Sequence, residues 1–190
     1  NVLVNLLDPG WLRTDLGAGS PMNRLFQGDV GSGKTVVAAL AVAMVARHGA
    51  QAAVMAPTSI LAEQHYKNFL RQLAGEAGLL QAEEIRLLVG ATPEGEKNEI
   101  LEKLASGQIK IIIGTHALIE DPIQFVDLQM VVVDEQHRFG VEQRAALRSK
   151  GSNPHLLVMT ATPIPRSLAL TIYGDLDLSV MDELPPGRQE

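Results

Sequence analysis

Six short apolar runs, separated by stretches with helical spacing, fix what this 190-residue chain can become. They are RLFQG at 24–28, AAVMA at 52–56, IRLLVG at 85–90, IKIIIGT at 109–115, MVVVDE at 130–135 and HLLVMTAT at 155–162. Each has the length of a strand, and most are apolar almost without a break. Such strands are buried on both faces, which is the habit of a parallel sheet. The intervening patterns at 34–48, 59–73, 94–105, 141–148 and 166–173 read as helices that would cover those faces. In 59–73, Leu61, Phe69 and Leu73 recur at helical spacing. The expected class is therefore α/β, a three-layer α/β/α unit around a mainly parallel central sheet. Sheets of this kind bind ligands beyond the carboxyl ends of their strands.

Composition narrows the function classes. Hydrophobic residues make up 46% and charged residues 20%, as in an ordinary globular domain. With no cysteine there is no disulfide framework and no thiolate metal site, which fits a reducing compartment. The longest non-polar run, VVAALAVAMVA at 36–46, is too short for a membrane span of about 18 residues or more. No basic region precedes the apolar start NVLVNLLDPG, so a secretory leader is not expected. A net charge of −6 weighs against a broad electrostatic grip on nucleic acid. It leaves room for a local contact made by backbone amides and helix ends. DPGWLRTDLGAGSP at 8–21 reads as a loop and the terminal LPPGRQE as a linker, so the chain is expected to be cut at both ends.

The first strand runs into GDVGSGKT, residues 28–35, and then into a helix. This is the G-x-x-x-x-G-K-[ST] pattern of a phosphate-binding loop. Phosphate oxygens need many donors and no steric wall. Gly28, Gly31 and Gly33 let the backbone wrap closely, while amides across Asp29, Val30 and Ser32 and at the helix start face the anion. Lys34 supplies a cation for the β and γ phosphates, and Thr35 a hydroxyl for Mg²⁺. With average glycine usage of about 7%, a chance match in a chain of this length is on the order of 1%.

The strand MVVVDE ends in two adjacent acids, Asp134 and Glu135. Neighbouring carboxylates repel, and burial raises the cost of ionising either. A divalent cation reverses that argument. Asp134 would hold Mg²⁺ through its water shell. Glu135 would polarise the water that attacks the γ phosphate. Thr58 or Ser59 can cap the helix after strand 52–56, where free amides can also take a phosphate. His65 lies four residues from both Leu61 and Phe69 and is expected to be core. His48 ends a helix, where it suits the negative dipole end. His116 and His137 follow strand ends and stand as functional candidates. Arg138, Arg144 and Arg166 would each face a ligand or simply be solvated, with Arg166, beside the TAT segment, favoured.

GDVGSGKT, APTSILAEQH, GTHAL, DEQH and TATPIPRSLAL, in this order, resemble the first motor lobe of superfamily-two helicases. QGDVGSGKTVVAALA, VVVDEQHRFGVEQR, LLVMTATPIPRSLALTIYGDLDLSV and DELPPGR resemble the RecG type within it, over about residues 22–190. The resemblance implies a RecA-like P-loop NTPase lobe at 23–182, an upstream remnant at 1–22 and the start of an interlobe linker at 183–190. It implies ATP and Mg²⁺, a bacterial cytoplasmic setting, branched or forked DNA held by its backbone, and no membrane. A second RecA-like lobe and an upstream wedge domain would be partners. Gln136 and His137 would link nucleotide to motor, and Thr160, Ala161 and Thr162 would couple the lobes. Pro57, Thr58, Thr115 and His116 would meet the DNA backbone. The strand ending at Thr160 should lie between the P-loop strand and the one ending at Asp134.

The near rival, a transcription-repair translocase lobe, usually carries DEEH where this chain has DEQH and a bulkier residue at Ser32. A nucleotide-dependent switch without motor action is the rival of another class. A small-molecule kinase leaves DEQH and TAT without a task. No glutamine motif precedes Arg24, and the arginine finger of the second lobe is missing. The chain alone is therefore expected to hydrolyse ATP poorly and not to unwind DNA.

Overall fold

The computed structural model describes residues 21–29, 32–74, 78–134, 141–161 and 176–181. Seven strands form one sheet: β1 Asn23–Gly28, β2 Gln51–Met55, β3 Ile85–Leu88, β4 Ile111–Gly114, β5 Leu128–Asp134, β6 His155–Thr160 and β7 Asp177–Met181. Their spatial order is β3-β4-β2-β5-β6-β1-β7, and every pairing is parallel. The expected class holds. The strand ending at Thr160 lies between β1 and β5, as the resemblance implied.

Four helices are described: α1 Lys34–Arg47, α2 Ser59–Leu73, α3 Glu94–Ala105 and α4 Val141–Arg148. The expected helix at 166–173 lies outside the described residues. Because side chains alternate along a strand, β2 sends Ala52 and Val54 to one face and Ala53 and Met55 to the other. β5 does the same with Met130 and Val132 against Val131 and Val133. The first face packs on Val42 and Val45 of α1 and Phe69 and Leu73 of α2. The second packs on Ile100 and Leu104 of α3 and Leu147 of α4. The two cores make the three layers.

Two local features hold the sheet's ends. At the amino end, the buried Gln51 side chain donates from Nε2 to the carbonyls of Leu104 (2.9 Å) and Ile109 (2.8 Å). Its Oε1 accepts from the amides of Val126 (2.8 Å) and Asp127 (3.1 Å). One side chain thus ties β2 to the approaches of β4 and β5. At the carboxyl end, a Cβ on Gly114 would lie 2.2 Å from the Leu88 carbonyl, so β3 and β4 reach their spacing there only with glycine.

The edge strand β7 has no counterpart among the expected strands. Its sequence, DLSVM, alternates polar and apolar, and it is held by long-range pairing with β1, including an Arg24 Nη1 to Ser179 Oγ bond of 2.7 Å.

Candidate nucleotide and nucleic-acid site

Three neighbouring strand ends define the site. β1 ends at Gly28 and enters the glycine loop, β6 ends at Thr160, and β5 ends at Asp134. Register places Gln27 beside Thr160 and Asp134 beside Met159, so the three ends lie level.

α1 starts directly from the loop. Gly33 sits at its N-cap with φ 93°, a left-handed conformation that glycine takes without strain. Space around it is open, so backbone angle rather than crowding requires the glycine. The Ser32 amide donates to the Asp29 carbonyl at 3.1 Å and closes the turn. The first amides of any α-helix lack intrahelical partners and favour an anion.

Lys34 and Thr35, the first residues of α1, are half-buried. The Lys34 ammonium folds back on the loop and donates to the carbonyls of Gly28 (2.5 Å) and Asp29 (2.6 Å), and more weakly to Ser32 Oγ (3.4 Å). Burial lowers its pKa below the ordinary lysine value, while the charges of Asp134 and Asp29 oppose that shift. Lys34 and Asp134 therefore act on each other across the site. Val30 and Gly31 of the loop lie outside the described residues.

Asp134 is not alone at its strand end. Its Oδ2 lies 2.7 Å from Nε2 of His65, on α2. His65 is buried, with its ring 6.3 Å from that of Phe69. It is core, as the spacing suggested, yet it also holds the acid, which spacing alone did not signal. Glu135, Gln136 and His137 lie outside the described residues, as do Arg138, Thr162 and Arg166. Thr160 is buried and Ala161 is half-buried at the end of β6. Arg144 is 6% exposed, so it is neither a solvated nor a DNA-facing arginine.

The donor set suits Mg²⁺ carried by a nucleotide. It offers one carboxylate and one hydroxyl, and no group of three or more His, Asp or Glu gathers among the described residues. Mg²⁺ keeps several waters and is bound by one or two carboxylates plus phosphate oxygens.

A second cluster lies at the ends of the adjacent strands β2 and β4. Thr58 caps α2, its hydroxyl accepting from the Leu61 amide at 3.3 Å, and is exposed beside half-buried Pro57. His116 is exposed at the start of a 3₁₀ turn, His116–Ile119. Thr115, by contrast, is 3% exposed, so only its partner in that pair offers a side chain to solvent. His48, at the end of α1, has Nδ1 2.8 Å from the Met44 carbonyl, consistent with its place at a helix end. Among the described residues, no helix is long and apolar enough to cross a membrane.

Known proteins are similar to this chain in sequence and fold. The ATP-dependent DNA helicase RecG of a Synechocystis strain is 55% identical over 175 residues, 92% of this chain and 20% of that protein. RecG of Aquifex aeolicus is 53% identical over 178 residues, 93% of this chain and 22% of that protein. A structure of RecG bound to a three-way DNA junction superposes with a TM-score of 0.76 at 47% identity, over 98% of this chain and 24% of that one. The Hef helicase domain of Pyrococcus furiosus has the same fold, with a TM-score of 0.63 at 21% identity, over 95% of this chain and 39% of that one. The chain thus spans about a fifth to a quarter of the length of the RecG proteins it matches. The family model of the DEAD/DEAH box helicases matches residues 16–171, from before the P-loop strand to beyond the TAT segment, and the chain belongs to that family.

Proposed function

We propose that this chain is the ATP-binding motor lobe of an ATP-dependent DNA helicase or translocase of the RecG type, acting on branched DNA. The observation that carries the reading is that the end of the phosphate-loop strand, which leads to Lys34, and the strand end bearing Asp134 lie level, one strand apart in the sheet. Lys34 rests on the loop carbonyls of Gly28 and Asp29, a position from which it turns to the β and γ phosphates of ATP. The backbone from Gly28 through Val30, Gly31, Ser32 and Gly33 wraps the phosphate chain. Thr35 and Asp134 hold Mg²⁺, which when bound supplies charge neutralisation on the phosphate oxygens. Glu135 orients the attacking water. Gln136, His137, Thr160, Ala161 and Thr162 pass the nucleotide state to a second RecA-like lobe.

DNA meets the neighbouring strand ends. Pro57, Thr58 and His116 contact its backbone, and Thr115 contributes through the main chain because its side chain is buried. Backbone contact carries no base information, which suits a motor that works on any sequence. The similarity to RecG bound to a three-way DNA junction supports branched DNA as the substrate. A wedge domain upstream and a second lobe complete the machine. The lobe itself is residues 23–182, flanked by 1–22 and by linker residues 183–190.

The test is ATP turnover with and without forked DNA, in a longer protein that joins this chain to a second lobe and a wedge. Strong stimulation by the fork, lost in Glu135→Gln, is the expected result. Turnover indifferent to DNA would turn the reading toward a nucleotide switch without motor action. The chain alone should turn over ATP poorly, since the arginine finger of a second lobe is worth orders of magnitude in rate. Brisk turnover by this chain alone would contradict that.

A further inference from the structure

Among the described residues, His65 is a buried titratable side chain at the nucleotide edge with no task in nucleotide binding assigned so far. Its Nε2 lies 2.7 Å from Asp134 Oδ2, and the His65 and Asp134 side chains are 8% and 20% exposed. An ionised carboxylate only accepts hydrogen bonds, so Nε2 carries the hydrogen. His65 is itself fixed on α2 by packing against Phe69 and beside buried Ala62. A strand-end carboxylate without such a partner rotates among several orientations. Here one oxygen is committed to a rigid helix, and Oδ1 is left as the acid's other acceptor. α2 is also the helix whose first turn is capped by Thr58, so the group that steadies Asp134 is built into the element proposed to meet DNA.

We propose that His65 is a positioning residue of the nucleotide site: its Nε2–H holds the Asp134 carboxylate in the orientation that takes the hydrated Mg²⁺ accompanying ATP. This rests on the reading of Asp134 as the metal-associated acid. Partners that orient a metal-bound group typically change metal affinity by about 10–100-fold when removed.

The experiment is equilibrium binding of a non-hydrolysable ATP analogue to the chain, with Mg²⁺ and with EDTA. The ratio of the two affinities reports the metal's share. His65→Leu, which keeps apolar bulk without the donor, should reduce that ratio by about 10–100-fold and leave affinity in EDTA unchanged. His65→Gln, which retains an N–H at similar reach, should restore most of the ratio. Circular dichroism shows whether each variant is folded. A second measurement needs no variant of His65: its imidazole ¹⁵N resonances should move when Mg²⁺ is added to the nucleotide-bound wild-type chain.

A folded His65→Leu chain with the wild-type ratio would overturn the proposal, as would imidazole resonances indifferent to Mg²⁺. Asp134→Asn separates the two claims. If it abolishes the ratio while His65→Leu does not, the role of His65 fails and the nucleotide reading stands. If it leaves the ratio intact, Asp134 is not the metal's acid and both fail.

Discussion

Replacing Gln51 by methionine should destabilise the chain by about 2–4 kcal/mol without touching nucleotide binding. The two side chains have similar length and bulk, so little cavity forms, and the change isolates four hydrogen bonds. They are not equal. The Ile109 carbonyl loses its side-chain donor inside the protein, worth about 1–3 kcal/mol. The Leu104 carbonyl still accepts from the Gly107 amide at 3.1 Å and loses about 0.5–1.5 kcal/mol. The amides of Val126 and Asp127 belong to exposed residues and their bonds to Oε1 are only part-buried, so their loss weighs less. Urea unfolding is the assay. With an m-value of about 2 kcal/mol per molar, the midpoint should fall by about 1–2 M at unchanged slope. A fall below about 0.3 M would refute the reasoning, because the buried carbonyl would then be satisfied some other way. Gln51 begins β2 at the edge opposite the phosphate loop, so the folded variant should bind Mg-nucleotide as the parent does.

Other positions give independent checks. Gly114→Ala puts a methyl 2.2 Å from the Leu88 carbonyl and 3.0 Å from Leu118, and should destabilise by about 3 kcal/mol, at the upper end of overpacking, in the same urea assay. Thr58→Ala removes the α2 cap and should cost about 1 kcal/mol of stability. If Thr58 also meets phosphate, DNA affinity falls to a similar extent on every sequence tested. Lys34 has a folded-state pKa below the ordinary 10.5, so it releases its proton earlier in the folded chain than in the unfolded one. Between those two values the unfolded chain binds more proton and stability rises with pH. Lys34→Met should flatten that slope in urea midpoints taken across alkaline pH.

Much of this was legible in the residues. Continuous apolar runs gave six of the seven strands, because burial on both faces leaves an unambiguous local mark. GDVGSGKT announced both the turn and the start of α1, since Gly33 takes the left-handed conformation that opens the helix and Lys34 is its first residue. What local pattern could not carry was pairing across the chain. β7 is too short and too mixed in polarity to stand out until it is set beside β1. Gln51 reads as a polar residue before a strand, and only the approach of residues 104, 109, 126 and 127 makes it a staple. His65 satisfied the helical stripe, and so its second role, 69 residues from Asp134, left no trace in spacing. Arg144 and Thr115 failed the other way: polar type suggested surface, and packing buried both.

The most direct test of Lys34 and Asp134 as the nucleotide's partners is a crystal structure of the chain with a non-hydrolysable ATP analogue and Mg²⁺. There the Lys34 ammonium should have left the carbonyls of Gly28 and Asp29 for the β and γ phosphates. Asp134 should face the cation while keeping its bond to His65. An analogue bound away from the Gly28–Thr35 loop, or a Lys34 still seated on those carbonyls beside bound phosphates, would contradict that partnership.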